Sequence, residues 1–166
     1  MPKPTQQQDL SAVLSNKNGL LYLTANDWTL IADKGLRRQF KPGESLVQHG
    51  RRTHGVFVLL NGCASVQIPG LEDGREITAG EVCGEISFLD DLPATADVIA
   101  REAIDAYYLD RPTLQSLFEL FPHLGSRFYR SMASILSHRL REMIGRSGSP
   151  SSSVKKDGEG VKKVQS

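Results

Sequence analysis

The stretch from residue 37 to residue 110 is broken by glycines and turn residues into short apolar runs, which leaves few folds open. Residues 56–60 are rich in branched and aromatic side chains and indicate a buried strand. Asn61-Gly62 follows, which is a strong turn signal, and apolar residues then alternate with polar ones from Ala64 to Ile68. We therefore predict a β-hairpin across Asn61-Gly62.

Two further runs, 97–101 and 105–109, read as a last pair of strands. Several short strands at this spacing are typical of a barrel or a roll. The sequence thus predicts a mainly β fold with flanking α-helices.

A helix is predicted before the strands, over residues 24–34. Thr24 can cap it, with Asp27 three residues on as a capping box, and Gly35 would end it. Two apolar residues of this helix would face the core, Leu30 and Ile31.

Helical periodicity returns after the strands. The first helix has one apolar face and is stopped by Pro122; that face comprises Leu114, Leu117, Phe118 and Phe121. A longer stripe fits a helix of about 20 residues; it comprises Leu124, Phe128, Met132, Ile135, Leu136, Leu140 and Met143. Four arginines of this second helix are expected on a solvated face: Arg127, Arg130, Arg139 and Arg141.

Composition divides the 166 residues into three parts. Residues 1–8 are polar and are predicted to be disordered, and residues 9–145 form one domain. Residues 146–166 are rich in Ser, Gly and Lys, with five basic and two acidic residues, and are predicted to form a disordered basic tail. The net charge of +1 predicts neither nucleic-acid nor membrane binding.

The chain carries no obvious catalytic or metal chemistry. It has two cysteines, Cys63 and Cys83, which are expected to be buried free thiols. The four histidines are not clustered as metal ligands would be and are expected to be exposed or capping; they are His49, His54, His123 and His138. This lack of catalytic and metal-binding patterns leads us to expect that the protein is not an enzyme. No apolar run approaches the roughly 20 residues of a membrane span, and no signal peptide is apparent, so we expect a cytoplasmic protein.

The pattern as a whole resembles the cyclic-nucleotide-binding domain of catabolite-activator-type regulators, kinase regulatory subunits and gated channels. The resemblance spans roughly residues 23–143 and rests on five segments of sequence, 40–44, Gly50, 56–62, 80–81 and 84–89. It implies a β-roll of the double-stranded β-helix type. Gly43, Gly62 and Gly80 would turn its corners with backbone that favours positive φ.

Residues 84–98 are similar to the phosphate-binding cassette of that family. The resemblance implies that Gly84 and Glu85 form the Gly-Glu pair, with the glutamate accepting hydrogen bonds from a ribose hydroxyl. It implies that Ile86 and Ser87 form the first turn of a short helix, whose N–H groups face the phosphate. Thr95 and Ala96 match the hydroxyl residue and the small residue further along.

The cassette departs from the family pattern at one position. Ala94 stands where the family has an arginine that clamps the cyclic phosphate. Such a contact is worth about 1.5–3 kcal/mol, so its loss weakens binding roughly 10- to 100-fold. Arg75 or Arg101, on neighbouring strands, could reach the site instead.

A metal-dependent enzyme of the cupin type would have the same general β-architecture, but it would need clustered histidines that the sequence does not show. Two other functions are then open. The first is a non-catalytic sensor of cAMP, cGMP or another cyclic nucleotide, with no cofactor or metal, that relays binding through its C-terminal helices. The second is a degenerate domain that no longer binds nucleotide and acts as a dimerisation or interaction module. Either would form a homodimer through the helix at 124–143. No helix-turn-helix is predicted after that helix, so we expect no DNA-binding domain.

Overall fold

The computed structural model describes residues 19–147 apart from residue 73. Within that part of the chain there are eight strands: β1 (Leu36–Phe40), β2 (Ser45–Val47), β3 (Gly55–Asn61), β4 (Ala64–Gln67), β5 (Arg75–Ile77), β6 (Val82–Cys83), β7 (Asp97–Ala100) and β8 (Ile104–Asp110). It also contains four helices: α1 (Ala25–Lys34), α2 (Glu85–Asp90), α3 (Arg111–Leu120) and α4 (Pro122–Ser147). The disorder that we predict for 1–8, and for the tail from 148 onward, falls outside the described residues.

The strands form two antiparallel four-stranded sheets, in the orders β1-β8-β3-β6 and β2-β7-β4-β5. They build a β-roll with helices before, within and after it, which confirms the predicted fold class. The two sheets enclose one apolar core, and the helices cover a second core on the outer face of the first sheet.

The hairpin predicted across Asn61-Gly62 is wrong. β3 pairs with β6 and β8, and β4 pairs with β5 and β7, so the two strands belong to different sheets. Both edges of β3 are already occupied by hydrogen-bonded neighbours, which leaves no edge for β4. The last two predicted strands are present as β7 and β8. They also lie in separate sheets and do not pair with each other.

β3 is buried on both of its faces. Val56, Val58 and Leu60 point into the core beneath the helices, whereas Phe57 and Leu59 point into the core between the sheets. Side chains alternate across a strand, so a continuous apolar run can feed two cores at once. This explains why the run from 56 to 60 shows no polar alternation.

The predicted start of α1 is confirmed. Thr24 accepts a hydrogen bond from the Asp27 amide at 3.2 Å, and the Asp27 carboxylate accepts one from the Thr24 amide at 2.9 Å. Ile31 is fully buried and Leu30 is partly buried against the same core. Gly35 ends the helix, but with φ at −69° rather than in a left-handed conformation. A Cβ there would lie 3.0 Å from Leu109 Cδ2, so close packing is what calls for glycine.

Pro122 separates the two C-terminal helices by starting the second. α3 ends at Leu120, and α4 begins at Pro122, where the fixed φ of proline suits a first helical turn. α4 is 26 residues long and continues to Ser147, past the domain end that we predict at 145. Phe121, which we place on the apolar face of α3, is instead 42% exposed between the helices.

The apolar stripe of α4 divides into two halves. The first half is buried against the outer core; it comprises Leu124, Phe128, Met132 and Ile135. In the second half Leu140 and Met143 are 58% and 61% exposed. The first half therefore holds the helix on the roll, and the second half projects beyond the core.

Candidate functional site

A cavity of about 350 Å³ lies between the roll, α2 and the end of α4. All six residues that the sequence singles out line it: Gly84, Glu85, Ile86, Ser87, Thr95 and Ala96. The fold thus brings the two ends of the predicted cassette to one place. Their role in binding a ligand stays a prediction.

The remaining walls of the cavity are mostly apolar. The roll contributes Val47, Val66, Ile68, Leu71, Ile77 and Val98, and the end of α4 contributes Leu136, Leu140 and Met143. Small-molecule sites have this character, with a few polar groups in an apolar enclosure. The cavity can therefore hold the apolar part of a small ligand against its walls and form hydrogen bonds with the polar part of that ligand.

Gly84 positions the polar end of the cavity. It joins β6 to α2 with φ at +85°, in the left-handed region. A Cβ at this position would lie 3.1 Å from both the Gly55 carbonyl oxygen and Thr53 Cγ2. Glycine is required here by the conformation and by the close neighbours, so the turn that places Glu85 depends on it.

Glu85 is buried, and its carboxylate pairs with Arg139 of α4. The Glu85 side chain is 4% exposed and that of Arg139 is 20% exposed. Arg139 also donates a hydrogen bond from Nη2 to the Val82 carbonyl at 3.1 Å. The carboxylate that the resemblance assigns to a ribose hydroxyl therefore already has a partner from the chain's own last helix.

The solvated face predicted for the arginines of α4 is wrong for Arg139. A signal for its burial was present, because Arg139 follows Ile135 by four residues and precedes Met143 by four, on the same face as the apolar stripe. Two others are also engaged: Arg127 hydrogen-bonds to Asp27, and Arg130 lies over the Tyr22 ring at 4.0 Å.

The electrostatics around Arg139 combine burial with other charges. Burial, reinforced by the positive charge of Arg75, lowers the pKa of Arg139 to about 10, so its guanidinium remains charged at neutral pH. Arg75 lines the same cavity and pairs with the buried Glu81 at 2.7 Å. Arg101, the other candidate substitute cation, pairs with Glu76 on the surface and does not line the cavity.

The hydroxyl of Ser87 is used within the fold. Ser87 Oγ donates to the Leu92 carbonyl at 2.6 Å and accepts from the Thr53 amide at 3.0 Å. These bonds tie α2 to the segment before β3 and to the chain that returns towards Thr95. The proton of the Ser87 hydroxyl is therefore already donated within the fold, and the hydroxyl helps to shape the cavity.

The position of the absent arginine is occupied by a packed alanine. Ala94 is 7% exposed, lies in the core between the sheets and lines the cavity. Its amide donates to the Arg51 carbonyl at 2.8 Å, and its carbonyl accepts from the Gly50 amide at 2.8 Å. Thr95 beside it is exposed. The backbone at this point is thus held by two hydrogen bonds, and the side chain carries no charge.

A wider groove of about 650 Å³ lies elsewhere on the roll. It is lined by Arg38, Phe40, Phe57 and Tyr108 among others, and it shares only Thr53 with the cavity beside Gly84. None of the six candidate residues reaches it. We therefore take the smaller cavity as the candidate site.

The described residues hold neither a metal-binding cluster nor a membrane-spanning helix. No group of three or more His, Cys, Asp or Glu side chains suited to a metal ion occurs among the described residues. The four histidines are exposed, as expected. Of the two cysteines, Cys83 is buried as expected, but Cys63 is only half-buried. No helix within 19–147, residue 73 aside, has the length and apolar character that crossing a bilayer requires.

Known proteins resemble this chain at the level of sequence. A family model described as "Cyclic nucleotide-binding domain" matches residues 37–120. Cyclic GMP-binding protein C of Dictyostelium discoideum is 29% identical over 130 residues, which are 76% of this chain and 5% of that protein. The cAMP-dependent protein kinase regulatory subunit of Colletotrichum orbiculare is 26% identical over 96 residues, which are 57% of this chain and 25% of that protein. The chain therefore spans a small part of the length of these relatives.

Solved structures share the fold. A cyclic nucleotide-binding domain from Methylobacillus flagellatus superposes with a TM-score of 0.71 at 20% identity, covering 84% of this chain and 80% of that one. The catabolite activator protein of Thermus thermophilus superposes with a TM-score of 0.63 at 22% identity, covering 75% of this chain and 59% of that one. At this level of identity the likeness establishes the β-roll and leaves the ligand open.

Proposed function

Since this chain belongs to the cyclic nucleotide-binding domain family, we propose that it is a regulatory, non-catalytic module that senses a cyclic nucleotide in the cavity beside Gly84. The proposal includes a relay, in which binding at this cavity changes the position of α4. One observation carries it: the six candidate residues and the end of α4 line the same cavity.

The chemistry of the cavity supports a ligand with an apolar ring and a polar end. The apolar walls from the roll and α4 suit a nucleobase, and the polar end holds Glu85, Thr95 and Arg139. The names of these relatives point to cyclic GMP and cAMP as the first ligands to test. The cavity volume of about 350 Å³ lies within the range of about 300–1,000 Å³ that is usual for small-molecule sites.

The relay is supported by how α4 is attached. Its first half is anchored by Phe128 and Met132, both fully buried, whereas Leu140 and Met143 of its second half are exposed and line the cavity. The Arg139–Glu85 pair links the second half to the cassette. A ligand that contacts Glu85 therefore acts directly on the half of α4 that extends beyond the buried residues of the outer core.

The experiment is thermal unfolding of the full chain with and without cyclic GMP, cAMP and a cyclic dinucleotide. A ligand at about 100 times its Kd stabilises the fold by about 2.7 kcal/mol, which corresponds to a shift of several degrees. We expect the shift to be lost in Gly84→Ala, because that substitution displaces the turn. The sensor is wrong if none of these nucleotides shifts the transition of the wild-type chain.

A second candidate is an interaction module without a nucleotide. Three apolar residues near the end of α4 are 58–62% exposed, namely Leu140, Met143 and Ile144. A second copy of this chain could cover them and so form the homodimer that we predict. The buried residues from Leu124 to Ile135 are already covered within the chain, so only the segment from 136 onward would contribute. Sedimentation equilibrium over a range of concentrations, with Leu140→Ser as comparison, distinguishes a dimer from a monomer.

A further inference from the structure

We propose that Arg139 of α4 is the residue that binds the anionic group of the ligand, leaving Glu85 when a ligand hydroxyl takes its place. This inference rests on the proposed function and identifies a binding residue outside the cassette. Arg139 would exchange the Glu85 carboxylate for the ligand anion within one cavity.

The cassette itself supplies no cation. Residues 84–96 contain Glu85, Asp90 and Asp91 but no lysine or arginine. A bound phosphate there would meet a negative field unless a cation came from another element. Among the residues that the structure describes, three arginines line the cavity, namely Arg75, Arg139 and Arg146.

Two of these arginines are poorly suited to meet a ligand. Arg75 is held by Glu81, whose side chain is 5% exposed and whose second oxygen accepts from the Thr78 amide at 2.7 Å. Withdrawing Arg75 would leave a buried carboxylate without its charge partner, which is costly. Arg146 is exposed in the last turn of α4, where water screens its contact with an anion.

Arg139 differs from Arg75 in that a ligand that draws it away can itself donate a hydroxyl to the carboxylate that Arg139 leaves. A guanidinium has five N–H donors. Among the described residues Arg139 has Glu85 and the Val82 carbonyl as acceptors, and its Nε is buried without a hydrogen-bond partner. An anionic oxygen would satisfy donors that are now unused and form a charge-assisted pair.

Glu85 also keeps a partner in this exchange. Its carboxylate accepts hydrogen bonds, so a ligand hydroxyl can donate to it when Arg139 moves to the anion. One molecule that carries both a hydroxyl and an anionic oxygen would therefore satisfy both halves of the present ion pair. A cyclic nucleotide has this combination, whereas the parent nucleoside has the hydroxyls and lacks the anion.

The test measures Kd by titration calorimetry for cyclic GMP against guanosine and for cAMP against adenosine, using the full chain. We expect the wild-type chain to prefer the cyclic nucleotide. Arg139→Gln should weaken cyclic nucleotide binding about 10- to 100-fold while changing nucleoside binding little, which removes the preference. Arg141→Gln on the same helix, exposed and away from the cavity, is the matched control and should bind as the wild type does.

Two further variants separate ligand contact from folding. Arg139→Lys keeps a positive charge beside Glu85 but lacks the planar fork, and we expect about a tenfold rise in the Kd of the cyclic nucleotide with unchanged circular dichroism. Ala94→Arg in the Arg139→Gln background places a cation in the cassette and should recover most of the preference for the cyclic nucleotide. Recovery would show that Arg139→Gln loses the preference because it removes a positive charge from the cavity.

The outcomes distinguish this inference from the proposed function. If the wild-type chain binds a cyclic nucleotide and Arg139→Gln keeps the same preference over the nucleoside, the role of Arg139 is wrong and the sensor stands. If the wild-type chain binds nucleoside and cyclic nucleotide equally, no cation contacts the phosphate, and the role is again wrong. If it binds neither, both proposals fail.

Discussion

Arg127 of α4 donates two hydrogen bonds, of 2.6 and 2.8 Å, to the carboxylate of Asp27 in α1, 100 residues earlier in the sequence. The same carboxylate accepts from the Thr24 amide and so completes the capping box of α1. Asp27 is 3% exposed. One buried side chain therefore caps the first helix and fastens the last helix to it.

This contact predicts a pH dependence of stability. The hydrogen bonds from Arg127 hold the pKa of Asp27 below its usual value. A carboxylate with a lowered folded-state pKa stabilises the fold above its unfolded pKa of about 3.9, and the contribution is lost as the pH falls through the folded value. We expect Arg127→Met to lower the urea midpoint at pH 7, and the difference from the wild type to vanish towards pH 2. A difference that is equal at both pH values would contradict this, and Arg141→Met is the control for removing a charge from α4.

Replacing either of two corner glycines by alanine is expected to lower the free energy of unfolding by different amounts. Gly43 and Gly62 have φ of +89° and +87°, but a Cβ at Gly43 meets nothing within 4 Å, whereas one at Gly62 lies 2.4 Å from the Ala103 carbonyl oxygen. Gly43→Ala should lower the free energy of unfolding by about 1–2 kcal/mol through its backbone conformation alone. Gly62→Ala should cost more, because backbone must also move. Urea unfolding of both variants checks this, and equal costs would show that the corner at Gly62 adjusts freely.

The two halves of α4 give a second matched pair. Met132 is fully buried and Met143 is 61% exposed. Met132→Ala should cost about 2–5 kcal/mol of unfolding free energy through the cavity that it leaves. Met143→Ala should change it by no more than about 0.5 kcal/mol. Chemical unfolding in the absence of ligand measures both, and a large loss in Met143→Ala at high protein concentration only would favour self-association through the end of α4.

The two thiols are expected to differ in reactivity. Burial raises the pKa of Cys83 to about 12, and it raises that of the half-buried Cys63 as well. Because the thiolate is the reactive form, Cys83 should resist a disulfide reagent at pH 8 until the fold is opened with urea. Cys63 should react first, though more slowly than a free thiol. Rapid labelling of Cys63→Ser under native conditions would show that Cys83 is reached through the cavity that it lines.

The six cassette residues lie at one cavity, and their role in binding a ligand stays a prediction. Gly84 and Thr95 meet at one cavity because the turn before α2 and the return through Ala94 are local features, encoded by glycine and small residues. The cation beside Glu85 comes from Arg139, 54 residues further on in the sequence. No local pattern pairs these two residues, although the spacing from Ile135 to Met143 places Arg139 on the inward face.

Features that depend on neighbouring residues could be predicted from the sequence: the cap at Thr24, the glycine corners, the apolar run of β3 and the helical stripe of α4. These follow from backbone conformation and side-chain periodicity, which act over a few residues. The pairing of strands and the partners of the charged side chains depend on packing between distant segments, so they could be read only from the tertiary structure. Asn61-Gly62 can form a turn within a hairpin or a turn between two sheets. It joins two sheets here because β6 and β8 already occupy both edges of β3. Arg139 likewise finds Glu85 only because packing of the first half of α4 carries its second half over the cavity.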